Sequence, residues 1–180
     1  MAGRWHPRAA LLIIFTMFFL LYCRAPINSE EIEIPAMELG KLGLDDVSTL
    51  ATVIETDTTE KVEGEGAIKI TTKWPTTICL GEFLGIKVEN TRLVCRASIK
   101  CENLQGSAFI EMWCTVGGGN YFSRGMDTAV GSTTGWQIVE VPFMLYQDQQ
   151  ATGVLLNLVI TGKGTVWIDD VRLIQQPWKE

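Results

Sequence analysis

The chain has 180 residues, of which 21 are acidic and 15 are basic, and a single histidine, His6. From Pro26 onward all 21 acidic residues but only 12 basic ones remain, which gives a net charge of −9 and leaves no histidine. This part of the chain therefore excludes Ser-His-Asp and Cys-His catalysis and histidine-ligated zinc. The absence of a basic patch in the sequence also argues against nucleic acid as a partner.

The N-terminal segment holds an apolar run of 14 residues, Ala9–Tyr22, preceded by Arg4 and Arg8. This length is typical of a signal-peptide core and is short for a membrane span, and the basic flank favours an exported remainder. We interpret residues 1–25 as a cleaved signal peptide or an uncleaved anchor helix. The predicted location is extracytoplasmic (periplasmic, cell-surface or secreted), with membrane attachment only if the segment stays uncleaved.

Residues 26–46 carry an acidic cluster and two prolines, which indicates a tether that leads into an edge strand. From Val47 onward helical periodicity is absent, and short β-prone runs alternate with Gly, Asp and Asn. Eight or nine short strands predict an all-β sandwich in residues 47–180. The predicted strands are Ser48–Glu55, Gly66–Lys73, Thr77–Phe83, Arg92–Cys101, Ala108–Val116, Tyr121–Ser123, Trp136–Leu145, Gly153–Thr161 and Thr165–Ile174.

The closing strand, Gly164–Leu173, is predicted to place one carboxylate in an apolar row. Strict alternation puts Trp167, Asp169, Val171 and Leu173 on one face, with Val166, Ile168, Asp170 and Arg172 on the other. A buried carboxylate requires a cation or several hydrogen-bond donors. Asp169 is therefore a candidate metal ligand, with backbone N–H groups as the alternative partners.

Four cysteines follow the tether: Cys79, Cys95, Cys101 and Cys114. Outside the cytoplasm an even number favours disulfides. These cysteines can be paired if the runs Arg92–Cys101 and Ala108–Val116 form a hairpin across the turn at Asn103 and Gly106. In that hairpin residue i of one strand pairs with residue 209 − i of the other. That register places Cys95 opposite Cys114, which makes this pair the disulfide candidate. The alternative is that all four are small buried side chains with free thiols.

If the cysteine faces are buried, the opposite faces of the same strands are candidates for a ligand-binding groove. These faces carry aromatic, charged and amide side chains, which is a composition typical of a ligand-binding site. The alternative is that the aromatic rings pack locally and that Glu111 and Arg96 form an ion pair. Residues 120–127 have two interpretations as well: they line the site or they form a structural corner. The ligand-binding candidates are Trp113, Glu111, Arg96, Phe109, Asn157 and Arg124.

Three segments together carry a resemblance to a known family: Glu63–Ile70, Gly135–Phe143 and the closing Gly162–Leu173. Over residues 45–175 the chain resembles galactose-binding-like jelly rolls, in particular carbohydrate-binding modules of the family 4 and family 9 type. The resemblance implies a jelly-roll β-sandwich of two antiparallel sheets and carbohydrate as the partner. It also implies that Asp169 helps bind a structural calcium ion, although the other ligands do not transfer to this sequence.

These features predict a non-catalytic binding module for carbohydrate rather than an enzyme. The main alternative is a protein-interaction or envelope-scaffold domain without affinity for sugar. A glycosidase or lyase that uses Glu111 with Glu102 or Glu140 is the least favoured hypothesis, because nothing in their spacing requires two facing acids.

Overall fold

The computed structural model describes residues 52–177, together with the backbone of a short strand at residues 32–34. Strands make up most of the described chain, with one 3₁₀ turn at Met126–Thr128. No helix in these residues is long and apolar enough to cross a membrane, and the predicted N-terminal helix lies outside them. The strands are β1 (Ile32–Ile34), β2 (Thr52–Asp57), β3 (Ala67–Thr72), β4 (Thr76–Val116), β5 (Gly119–Arg124), β6 (Val130–Ile160) and β7 (Lys163–Pro177).

The long strands β4 and β6 bend and contribute to two groups of antiparallel ladders. In the first sheet, residues 153–160 of β6 lie between residues 76–84 and 108–116 of β4, and β5 flanks the latter. Bulges interrupt the β4–β6 register between these regions. A bulge adds twist and a bend to a strand, which lets one continuous strand leave the first sheet and enter the second.

In the second sheet, residues 91–101 of β4 lie between residues 134–145 of β6 and the closing strand β7. The order continues through β7 to β3 and then β2. The short strand β1 also pairs with β7, with Ile32 opposite Gln175. The edge strand predicted near the tether is therefore present, next to the last strand of the chain.

One apolar core joins the two sheets. It includes Ile110 and Met112 from the first sheet and Ile99 and Ile168 from the second, all fully buried. Apolar side chains at every second position of each strand build this core, as expected for a sandwich. The prediction of an all-β sandwich of antiparallel strands is confirmed, but several of the predicted short strands are parts of the continuous strands β4 and β6.

The predicted hairpin between residues 92–101 and 108–116 is wrong, because these segments belong to different sheets. Residues 101–108 instead cross from one sheet to the other along residues 130–134 of β6. Gly106 has a φ of +145° and packs against Gly162 at this crossing. Two strands that face each other across a core bury the same alternating residues as two strands of one hairpin, so the apolar pattern did not distinguish these pairings.

The candidate disulfide is also wrong, since the four cysteines from Cys79 onward are free thiols. Cys95 lies opposite Val141 and Leu173 in the second sheet, and Cys114 lies opposite Val154 in the first. Burial raises the pKa of the Cys95 and Cys114 thiols to about 12. Both therefore behave as small apolar core residues. The alternative interpretation, that all four cysteines are buried with free thiols, is right about the free thiols but wrong for Cys79, which is exposed.

The closing strand changes face at a bulge, which corrects the predicted alternation. Val166 and Ile168 point into the core, while Trp167 and Asp169 lie on the outer face of the second sheet. At Asp170 the backbone φ is +50°, and the pairing with β4 shifts by one residue. The face reverses there, so Val171 and Leu173 return to the core.

Trp167 and Asp169 are nevertheless buried, because residues 57–63 fold over them. Asp169 Oδ2 accepts hydrogen bonds from the backbone N–H groups of Val62 (2.6 Å) and Glu63 (3.1 Å), and its Oδ1 accepts one from Asp170 (2.8 Å). The Trp167 indole donates to Asp57 Oδ2 at 2.9 Å. These bonds attach the covering segment to the outer face of the sheet.

The surroundings of Asp169 do not fit a calcium site. Its carboxylate oxygens receive N–H donors, whereas calcium requires six to eight oxygen ligands. Two acids on β2 have other partners: Asp57 accepts a hydrogen bond from Trp167, and Glu55 pairs with Lys69 at 2.8 Å. Within residues 52–177 no group of three or more metal-ligating side chains occurs. Calcium binding by the whole chain stays a prediction.

The crossing at Gly162 supports a direct stability test. A Cβ at position 162 would lie 1.6 Å from the carbonyl oxygen of Gln105, whereas one at Gly135 would have open space. We expect Gly162→Ala to lower the free energy of unfolding by about 1–3 kcal/mol or more, because the crossing backbones must separate. Gly135→Ala should stay within about 0.5 kcal/mol of the parent in urea titrations. Equal stability of the two variants would contradict the crossing.

Asp57 predicts an acid-sensitive contribution to stability. Hydrogen bonds from Trp167 and from the backbone of Glu60 and Thr59 lower the pKa of Asp57 to about 2. A lowered folded-state pKa gives stability that is present above the unfolded value near pH 4 and is lost as pH falls to about 2. Above pH 4 the parent should therefore melt at a higher temperature than Asp57→Asn, and this difference should disappear as pH falls to about 2. Asp127→Asn, at an exposed turn, is the control and should show no such difference.

Candidate functional site

The outer face of the first sheet carries the candidate site. Ile110, Met112 and Cys114 point into the core and are fully buried. Because side chains alternate along a strand, Glu111 and Trp113 point away from the core, on the outer face. This places a carboxylate and an indole side by side on the central part of the sheet.

Neighbouring strands extend this face in rows. Glu111 lies opposite Asn157 of β6 on one side and Arg124 of β5 on the other, and Asn157 also lies opposite Cys79. Side chains directly opposite each other in antiparallel strands lie about 4.5–5.5 Å apart at Cβ. One row of side chains therefore crosses four strand segments, two of them from β4. We call this row, with the adjacent Trp113 and Phe122, the Glu111 face.

Glu111 is the centre of the hydrogen bonds on this face. Its Oε1 accepts a hydrogen bond from Trp113 Nε1 at 2.7 Å, and its Oε2 accepts one from Arg124 Nε at 2.6 Å. The residue is only 6% exposed. A carboxylate with so little water contact requires such donors, so both oxygens are committed to protein groups.

The same contacts set the ionisation of Glu111. Burial favours the neutral acid, but the hydrogen bonds from Arg124 and Trp113, the Arg124 charge and a hydrogen bond from Asn157 outweigh it and lower the pKa of Glu111. The residue is therefore a carboxylate at neutral pH. A proton donor for glycoside hydrolysis needs a raised pKa instead.

Two aromatic rings adjoin the carboxylate. The ring centroids of Trp113 and Phe122 are 4.9 Å apart, with an interplanar angle of 42°. The Arg124 guanidinium carbon lies 4.8 Å from the Phe122 ring centroid, and Phe122 remains 51% exposed. The face thus offers accessible aromatic surface beside a charged pair.

The structure brings together four of the six predicted ligand-binding residues: Trp113, Glu111, Asn157 and Arg124. Phe109 lies on the same strand face, two positions before Glu111, but is 5% exposed and offers little contact area. Arg96 lies in the second sheet and pairs with Glu140 at 2.7 Å. The predicted alternative of a Glu111–Arg96 ion pair is therefore wrong, since Glu111 pairs with Arg124 instead.

Sequence reasoning did not select Phe122, Cys79 or Glu82 for this face. Phe122 lies within residues 120–127, whose two interpretations left its role open, and its pairing with Trp113 follows from the β4–β5 register. Glu82 lies opposite Leu155, which lies opposite Trp113, so a second carboxylate sits at the far end of the aromatic row. The tight Gly117–Gly118 turn was the available signal, because it predicts the β4–β5 hairpin that places Phe122 beside Trp113.

Comparison with solved structures finds the same fold in carbohydrate-binding modules. The tandem CBM22-1–CBM22-2 domain of Paenibacillus barcinonensis Xyn10C has a TM-score of 0.56 and 10% sequence identity, covering 87% of this chain and 49% of that one. The CBM22-1 xylan-binding domain of the same protein has a TM-score of 0.50 and 12% identity, covering 71% and 83% of the two chains. The chain thus spans about half of the tandem structure.

No protein-family model and no curated protein matches this sequence. At these identities the structural matches show the fold alone, and they confirm the predicted jelly-roll sandwich. The matched structures are carbohydrate-binding modules. The narrower resemblance to the family 4 and family 9 type stays a prediction.

The Glu111–Trp113 contact can be followed by the indole N–H resonance of Trp113, assigned with Trp113→Phe. Protonation of Glu111 removes the charge on the acceptor, so the resonance should shift with a midpoint below the ordinary value of 4.5. Stability that depends on ionised Glu111 should be present above pH 4.5 and fall as pH drops through that midpoint. A midpoint above 4.5 would contradict the network, and the Trp167 indole, bound to Asp57, serves as a reference with a midpoint at about 2.

Proposed function

We propose that the protein is a non-catalytic module that binds carbohydrate on the Glu111 face. The observation that carries this proposal is the contact of half-buried Trp113 with exposed Phe122 beside the Glu111–Arg124 ion pair. The jelly-roll fold, shared with a xylan-binding domain, supports it as an analogy. Export of the domain, or its attachment to a membrane by residues 1–25, remains part of the proposal.

The chemistry of the face suits a sugar. Pyranose rings have apolar faces that stack on aromatic side chains, and the equatorial hydroxyl groups that surround them need polar partners. Trp113 and Phe122 supply the aromatic surface, while Arg124 supplies N–H donors at its edge. Rings fixed by packing and hydrogen bonds lose little conformational entropy on binding.

The same contacts support binding without catalysis. Glu111 has both oxygens engaged and a lowered pKa. The other acids nominated for catalysis belong to the second sheet, where Glu140 pairs with Arg96 and Glu102 lies opposite Thr165. Two facing carboxylates with a sugar between them are the minimum for most glycosidases, and these three acids do not form such a pair.

Binding of the full chain to soluble xylan and to a wider panel of neutral and acidic polysaccharides tests this proposal. We expect Phe122→Ala to weaken binding of the preferred glycan at least tenfold, about 1.4 kcal/mol, because half of the aromatic surface is lost. Affinity electrophoresis and calorimetry give the dissociation constants. Circular dichroism confirms that the variant is folded.

Trp74→Ala is the matched control, because Trp74 is 68% exposed and lies in the turn between β3 and β4 rather than on the Glu111 face. It should bind the glycan like the parent. Loss of binding in Trp74→Ala with full binding in Phe122→Ala would place the site elsewhere. Failure of the folded parent to bind any glycan would overturn the proposal and favour a protein-interaction domain.

A further inference from the structure

We infer that Arg124 makes the Glu111 face selective for glycans whose pyranose rings carry a carboxylate, the uronic-acid class. This inference rests on the proposed function and names the ligand class for the same face. It follows from the hydrogen-bonding capacity that remains on the face once the protein's own bonds are formed.

The hydrogen-bond acceptors of Glu111 are already occupied by donors of the protein itself. Glu111 accepts a hydrogen bond from Trp113 through one oxygen and from Arg124 through the other. Its side chain is 9% exposed. Glu111 is therefore a positioning residue, which fixes the indole of Trp113 and the guanidinium of Arg124 rather than contacting a sugar.

The donor capacity of Arg124 remains largely available. Only its Nε is bonded to Glu111, and its guanidinium carbon lies over the Phe122 ring. Within residues 52–177 neither terminal nitrogen, Nη1 or Nη2, has a hydrogen-bond or ion-pair partner, and the side chain is 48% exposed. Two terminal nitrogens thus remain available to a ligand beside the Phe122 ring.

A fork of two N–H donors matches the two oxygens of a carboxylate. A uronic acid carries its carboxylate on the pyranose ring, so one residue can stack on an aromatic ring and reach the fork. A neutral hexose offers a hydroxyl group there, which cannot accept two parallel N–H bonds through two oxygens. The selectivity therefore resides in the geometry of Arg124.

General attraction of anions does not explain such a preference. The Arg124 charge is balanced by Glu111, Glu82 lies in the next row of the face, and the whole chain has a net charge of −6. A polyanion without a suitably placed carboxylate meets a neutral or repulsive field. A sulfated glycan should accordingly bind no better than its unsulfated form.

The test compares each acidic polysaccharide with its own carboxyl-reduced form, which has the same linkages without the charge. Polygalacturonate and glucuronoxylan, with their reduced forms, and dextran with dextran sulfate are the probes for the full chain. We expect at least one of the two acidic polymers to bind tenfold or more tightly than its reduced form. Dextran sulfate should show no gain over dextran.

Two variants separate geometry from folding. Arg124→Lys keeps the charge but not the fork, and it should lose the tenfold preference, so that each acidic polymer and its reduced form bind alike. The double variant Glu111→Gln/Arg124→Gln removes both charges, so no unpaired carboxylate remains buried, and it should also lose the preference. Arg96→Lys, in the ion pair with Glu140 on the second sheet, is the matched control and should retain it.

The outcomes distinguish the inference from the proposed function. Equal binding of acidic and reduced polymers that is lost in Phe122→Ala overturns the uronate inference and keeps the carbohydrate module. A preference that survives in Arg124→Lys, or that extends to dextran sulfate, also overturns it. Binding of no polysaccharide, neutral or acidic, overturns both.

Discussion

The buried carboxylate of Glu111 is the constraint on which the candidate site depends. A charged group with so little access to water costs several kcal/mol unless donors surround it. The donors come from Trp113 on the same strand and from Arg124 on β5. Satisfying one charge therefore ties β4 to β5 and fixes the position of an indole and a guanidinium.

The second sheet also buries a carboxylate, and it supplies the hydrogen-bond donors in another way. Asp169 is buried on its outer face, and its donors are backbone N–H groups, two of them from the covering segment. That segment is attached further by the Trp167–Asp57 bond and by the Lys100–Glu60 ion pair at 2.7 Å. The outer face of the second sheet is thus covered by the segment that its buried carboxylate binds. On the first sheet an exposed side chain donates to the carboxylate instead, and the aromatic rings of that face stay accessible.

The sequence predicted the strands well because alternating apolar residues and intervening Gly, Asn and Asp are local signals. It did not predict which strands pair, since Cys95 and Cys114 are buried equally by a hairpin or by two opposed sheets. The bulge at Asp170 was missed because one inserted residue reverses every later face. The Glu111 face was found in part: alternation identified Glu111 and Trp113, but Phe122 required the β4–β5 register.

The low sequence identity to the matched modules follows from the different requirements on core residues and outer-face residues. A core needs only apolar side chains of suitable volume at alternate positions, so two chains can share the sandwich at 10% identity. The outer face is free of that requirement, and in the proposed function its residues carry the recognition of the glycan. Glu111 is an exception, because it is buried like a core residue and yet orients two surface groups. A change at Glu111 alone would alter stability and recognition together, whereas Arg124, which is exposed and bonded through Nε only, is the position where recognition can vary while the fold is kept.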